Sequence, residues 1–336
     1  MKKILGIILA MIMPIMALAD TYPALWKKVT EAQAKDLPKT QMEWLGKIID
    51  KAQKGKDYGQ LLKAQLQRAA AQTQIAPDSA DVELSRLEKT ASEVKDPVMK
   101  AVYATVLGKL YEQRSGNDEA KATSKRWFAV AMEQPALLAQ HRCVEYEPAV
   151  VECVDSKIFN DDLLHVVGME AKAYKALQKY YESKGNRSAA CISACLGLRY
   201  GQEIDTYEKR KSKYLQAIDS LIRKYGDLSE AGELAIERSL FLLGAPDVTA
   251  EDNVNYINYA LNKWGDWPRM NILRNRLNDL RAPRFNINLG DCMLLPHTDR
   301  MVRINFIRNI GTLTLNIYRL NVEGDCSLNP EEPDDW

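Results

Sequence analysis

The residues best placed to do chemistry fall in one short run, Asn160-Asp161-Asp162-Leu163-Leu164-His165. Asp161 and His165 are four apart, so on a helix they share a face, and a carboxylate beside an imidazole begins a metal site or an acid–base pair. A metal site needs three or four converging ligands. The other histidines, His141 and His297, have no partner at a useful spacing, so the pattern stops at two groups. The same run reads better as the start of a helix. Asn160 is then the N-cap, the two aspartates complement the helix dipole in the first turn, and His165 packs at the edge of the core. The expectation is therefore no catalytic residue, no metal ligand and no cofactor.

The remaining candidates point the same way. Glu331-Glu332 and Asp334-Asp335 lie in a proline-bearing stretch suited to a solvated role. The Gly-x-Ser-x-Gly, His-Glu-x-x-His, Walker and dinucleotide patterns are missing from the sequence. Tyr174, Tyr180 and Tyr181, and the turn Trp264-Gly265-Asp266-Trp267-Pro268, invite a ligand-binding role, but aromatic groups at such positions more often fill gaps between packed helices. Among the 6 cysteines, Cys143 and Cys153 flank the irregular Glu145-Tyr146-Glu147-Pro148 stretch and are the candidate disulfide; Cys292 with Cys326 is a second option. Cys191 and Cys195 stand at i, i+4, where bridge geometry is poor, so each is a buried small apolar residue or pairs elsewhere.

These residues need a frame, and the chain supplies one from its first turn. Met1-Lys2-Lys3, the apolar run Ile4 to Met16 and the small-x-small Ala17-Leu18-Ala19 form a secretory leader, with cleavage after Ala19. We expect an exported product, periplasmic or secreted, with no transmembrane segment in the mature chain. With 46 basic and 45 acidic residues, nothing in the charge balance calls for nucleic acid or an anionic membrane.

From about Tyr22 to Ala282 apolar residues recur at helical spacing, as in Trp44, Leu45, Ile48, Ile49 and Ala52. Leu37-Pro38, Ala76-Pro77 and Asp96-Pro97 start helices, and Gly55, Gly116, Gly185, Gly226 and Gly265 end them. The helices fall into pairs at 40–75, 79–113, 169–200, 205–243 and 249–282, the scale of a helical-hairpin, TPR-like solenoid. Residues 134–156 are the least regular and read as a connector between two halves of a 20–282 helical domain. After Pro283 the pattern changes to alternation at Arg284–Leu289, Val302–Phe306 and Thr312–Leu320, which predicts three strands, the last two joined by a hairpin turn at Asn309-Ile310-Gly311. Three strands make only part of a β-sandwich, so residues 283–336 read as the start of a β domain that the sequence leaves incomplete.

Several stretches resemble one family. Tyr22-Pro23-Ala24-Leu25-Trp26-Lys27-Lys28, Lys35 to Thr40, Asp57 to Ala64, Ile158 to His165, Gly185 to Cys191, Ile304 to Asn309 and Ile317 to Leu320 are similar to the amino-terminal region of large exported bacterial alpha-2-macroglobulin-like proteins. The resemblance covers most of the mature chain, rests on packing and turn patterns, and implies that the strands after Pro283 open a first macroglobulin-type sandwich. It also implies a family of endopeptidase inhibitors that trap proteases with a bait segment and, in many members, a Cys-x-Glu-Gln thioester. Cys195-Leu196-Gly197-Leu198 lacks the Glu-Gln pair, so this chain does not trap by acylation. The expected role is a non-catalytic scaffold or interaction region for a protein or peptide partner. The alternative is a free-standing periplasmic helical-repeat protein that binds a peptide or protein on its concave face.

Overall fold

The computed structural model describes residues 21–114, 116, 118–151, 155–201, 207–243, 245, 247–288 and 303–316. The leader, Cys153, Cys292, Cys326, His297 and the carboxylate pairs at 331–335 lie outside them. The described chain is mainly helical, with 14 α-helices and a small sheet of two strands.

Helix starts follow from local chemistry. Helix α1 (Tyr22–Ala34) begins after Thr21, whose hydroxyl oxygen accepts from the Ala24 N–H. Helix α2 (Pro38–Gly55) takes Pro38 at its first position, where the missing N–H costs nothing, and ends on Lys56 in the left-handed region. Its buried residues Gln41, Leu45, Ile48, Ile49 and Ala52 trace one face at i, i+3, i+4 spacing. With α3 (Tyr58–Ile75) these helices enclose a small core of Leu25, Val29, Leu45, Ile48, Ile49 and Ala64.

The larger core runs from Leu62 of α3 to Leu277 near the end of the helical region. Helix α4 (Ala80–Glu93) leads to α5 (Pro97–Gln113), capped by Asp96, whose carboxylate accepts from Val98 N at 2.9 Å and Met99 N at 2.8 Å. Helix α5 is buried on nearly every side, through Val98, Met99, Val102, Tyr103 and Leu107, and α6 (Asp118–Ala131) packs along it. At Gly108 the two come so close that an added Cβ would lie 2.6 Å from the Phe128 ring. The four-residue α7 (Pro135–Leu138) and 3-10 turns at Cys143–Tyr146 and Ser156–Phe159 carry the chain to α8 (Leu163–Glu170). Cys143, Tyr146 and Val150 of this irregular stretch sit in the larger core.

Helices α9 (Tyr174–Ser183), α10 (Arg187–Tyr200), α11 (Tyr207–Tyr225), α12 (Ala231–Leu243), α13 (Ala250–Trp264) and α14 (Asn271–Arg281) complete the helical part. Each packs on the next, and α10 also meets α12, as α12 meets α14. In α10 the run Ala189-Ala190-Cys191-Ile192-Ser193-Ala194-Cys195 is wholly buried, since small side chains let the neighbouring helices approach from several sides.

Strand β1 (Arg284–Asn288) pairs antiparallel with β2 (Arg303–Arg308), with Asn286 opposite Asn305, Ile287 opposite Ile304 and Asn288 opposite Arg303. The third expected strand is not formed in its described part, since 312–316 carry no strand. Asn309, just after β2, takes a left-handed φ of 55° and its amide donates to Leu280 O at 2.6 Å and Ala282 O at 3.2 Å, tying the end of β2 to the end of α14. Among the described residues, no helix is long and apolar enough to cross a membrane.

Candidate functional site

Asp162, not Asn160, is the N-cap of α8. Its backbone is extended and its Oδ1 accepts from the His165 N–H at 2.9 Å. Asn160 and Asp161 precede the helix in the left-handed region, with φ of 59° and 54°. Short polar side chains tolerate that conformation, and two in a row reverse the chain out of the Ser156–Phe159 turn. The reversal is held by Asp161 N on Ser156 O at 2.8 Å, Cys143 N on Asp161 O at 3.0 Å and Leu163 N on His141 O at 2.8 Å. Leu163 and Leu164 then anchor α8 in the core, both 0% exposed.

This turn gathers three polar side chains and one aromatic ring around one carboxylate. Tyr181 of α9 donates its hydroxyl to Asp162 Oδ1 at 2.8 Å and stands 3.0 Å from Oδ2. His165 Nδ1 lies 3.4 Å from Oδ1, and its Nε2 lies 3.2 Å from Ser156 Oγ. Phe159 stacks on the imidazole at 5.2 Å between centroids and 10° between planes, and meets the Tyr181 ring edge-on. Burial, and then the Asp162 charge, push the Tyr181 phenol far above its ordinary range, so it remains a donor at any working pH.

Serine, imidazole and carboxylate thus stand in the order of a nucleophilic triad. The order does not make this conformation reactive. Ser156 is 1% exposed, His165 2% and Asp162 4%, so a substrate has no approach to the hydroxyl. The carboxylate is also shared with a helix N–H and a phenol, and its contact with Nδ1 is long. What the geometry accomplishes is to satisfy buried polar groups on one another and lock α8, α9 and the irregular stretch together.

The structure separates the residues that the spacing pairs. Asp161 lies outside the helix and meets Arg142 at 3.1 Å, so it shares no face with His165. His165 lies inside the core rather than at its edge, because the chain enters α8 through the reversal. His141 does have a partner: its Nδ1 is 2.8 Å from Glu145 Oε2, because the turn at Cys143–Tyr146 brings i and i+4 together. The Cys143 thiol donates to Asp162 O at 3.1 Å. Cys191 and Cys195 are free buried thiols; burial pushes Cys191 up to about 12, so it carries no thiolate at neutral pH. Of the aromatic groups, Tyr181 and Trp264 are buried and Tyr174, Tyr180 and Trp267 half-buried. Trp264 donates to Gly226 O at 3.2 Å and Trp267 to Glu233 Oε1 at 2.8 Å.

Ser156 and Tyr181 are the cluster members that sequence patterning misses. They reach Asp162 across a loop and a helix hairpin, at separations no periodicity encodes. Among the described residues, no group of three or more His, Cys, Asp or Glu side chains is placed to hold a metal ion. Comparison with protein-family models, curated proteins and solved structures finds no match for the chain.

Proposed function

We propose that this chain is a non-catalytic scaffold or interaction region of an exported alpha-2-macroglobulin-like protein, with its helices stacked as solenoid hairpins and its ribbon opening a macroglobulin-type β domain. The observation that carries this reading is the junction after Ala282, where consecutively packed helices pass directly into a ribbon whose apolar residues stand in solvent. Phe285 is 43% exposed, Ile287 44%, Ile307 55% and Phe306 80%. Large apolar groups on a two-stranded ribbon form one layer of a sheet that gains stability only from a covering layer. The packing of α10 on both α11 and α12, and of α12 on both α13 and α14, supports stacked hairpins. The burial of Ser156 and His165 supports a role without catalysis, and the partner is then a protein or peptide.

Two measurements test the proposal. Fractionation of expressing bacteria, with amino-terminal sequencing, should find the chain outside the cytoplasm and starting at Asp20; a cytoplasmic chain that keeps Met1 overturns export. Reading the gene past the codon for Trp336 tests the family. Further alternating-strand segments, in frame or frameshifted, support it, and their absence overturns it.

A further inference from the structure

Strands β1 and β2 collect their apolar residues on one side of the ribbon. Phe285 and Ile287 are two apart and share a face, and Ile304 stands opposite Ile287. Between Arg284 and Asn286 the register shifts, so β2 carries one extra residue and both Phe306 and Ile307 come opposite Phe285. Phe285, Ile287, Phe306 and Ile307 line one open hollow of about 780 Å³. All four are exposed, Phe306 the most at 80%. The other side of the ribbon carries Asn286, Asn288 and Asn305.

The edges of this ribbon are poor templates for a further strand. Arg284 and Arg308 pair at one end and Arg303 lies at the other, while the extra residue and the left-handed Phe306 interrupt the ladder. Edge charges and bulges are devices that oppose strand addition. The apolar face is therefore the surface left to dock.

We propose that the occupant is a second copy of this chain, two ribbons packing face to face about a two-fold axis with Phe306 of each in the hollow of the other. A two-fold contact needs one patch that is complementary to itself, and here an exposed ring and an open hollow belong to the same patch. The area fits as well. The four side chains present roughly 450 Å² of apolar surface per copy, and with its polar rim a pair buries about 1,000–1,200 Å², the size of a weak, reversible interface. Charge favours no ionic partner on the face itself, since Arg308 turns back to Asp279 O and Arg284 lies at the same end of the ladder. The described ribbon residues include no acid, so the copies gain no ion pair from one another. Apolar contact holds the dimer, and salt strengthens it by screening the arginines. The proposal rests on the reading of the ribbon as one uncovered layer of a sheet, and on neither export nor family.

The test is analytical ultracentrifugation of the full chain from about 1 to about 200 µM. The expected result is a monomer at the low end, a dimer at the high end, and association that tightens several-fold between about 0.05 and 0.5 M sodium chloride. Phe306→Ser and Ile307→Ser should each weaken dimerisation at least tenfold, and at about 1 µM both should melt like the parent chain. Val82→Ser removes an equally exposed apolar residue of α4, outside the ribbon, and should leave the dimer unchanged. A chain that stays monomeric at about 200 µM, its face taken by its own segments or by a different partner, overturns the proposal. So does a dimer that both ribbon variants leave intact, that Val82→Ser abolishes or that salt weakens. Each of these outcomes concerns the ribbon alone and leaves the fractionation and gene-reading tests to decide export and family.

Discussion

Among the described residues, 139–151 with 155–162 and 282–288 with 303–309 both lie outside the long helices, and they are built on opposite terms. The described residues of the first stretch form two 3-10 turns, yet Cys143, Tyr146, Ser156, Phe159 and Asp162 are at most 4% exposed. Its backbone groups find partners one at a time, on Ser156 O, Asp161 O and His141 O, and its side chains close on Asp162. The second stretch has a regular antiparallel ladder, yet every residue of β1 is exposed. Backbone regularity and burial are separate achievements. A ladder satisfies peptide groups whether or not anything covers it, whereas an irregular segment enters a core only when individual hydrogen bonds replace the missing ladder.

The sharpest way to break the irregular stretch is Asp162→Ala. It removes a helix cap worth about 1 kcal/mol and leaves a buried phenol without its acceptor at about 1–3 kcal/mol, for a loss of roughly 2–4 kcal/mol in urea unfolding. A loss below about 1 kcal/mol would mean that apolar packing alone holds the segment. Gly59→Ala attacks the same stretch from α3, since its Cβ would fall 2.2 Å from both Tyr146 O and Glu147 O. These are backbone atoms that cannot swing aside, so a cost of about 1–3 kcal/mol and a matching drop in melting temperature are expected.

The contrast also marks what the sequence makes legible. The five helix pairs placed from periodicity and Gly or Pro punctuation each contain two helices in the structure, because cap chemistry and a 3.6-residue apolar face are local signals. Asp96 with Pro97 is the clearest case, and the strands at Arg284 and Arg303 are another. The Asp162 cluster is hidden because its members converge through a double left-handed reversal that local propensity assigns to helix. Asn160 and Asp161 carry good N-cap chemistry, but the N-cap is one or two residues later. Asn309, in the expected turn Asn309-Ile310-Gly311, likewise takes on a tertiary task that no local pattern encodes, donating to Leu280 O and Ala282 O at the end of α14.

An intermediate case sharpens the comparison through pH. Glu182 at the end of α9 accepts from Lys224 and Tyr225 of α11, and from Gln178, and these bonds lower its pKa from 4.5 to about 2. A folded carboxylate that stays charged to lower pH than the unfolded one stabilises fully above about 4.5 and loses that contribution as pH falls toward 2. Glu182→Gln should therefore flatten part of the decline in melting temperature between those limits and shift it little near neutrality beyond a constant offset. A decline identical to the parent chain would show the pair to be screened by solvent.

The smallest effect belongs to the ribbon. Phe306 is 80% exposed and adopts a left-handed φ of 55°, so Phe306→Ser removes little buried area and relieves a bulky residue from a conformation that it tolerates poorly. The change in unfolding free energy should stay within about 0.5 kcal/mol, although aromatic-to-hydroxyl replacement in a packed core would cost several times that. A loss above about 1.5 kcal/mol, the scale of burying a large apolar side chain, would place Phe306 under a covering layer in the folded chain. The ribbon would then be buried by the same rule as the Asp162 segment, and the contrast between the two regions would disappear.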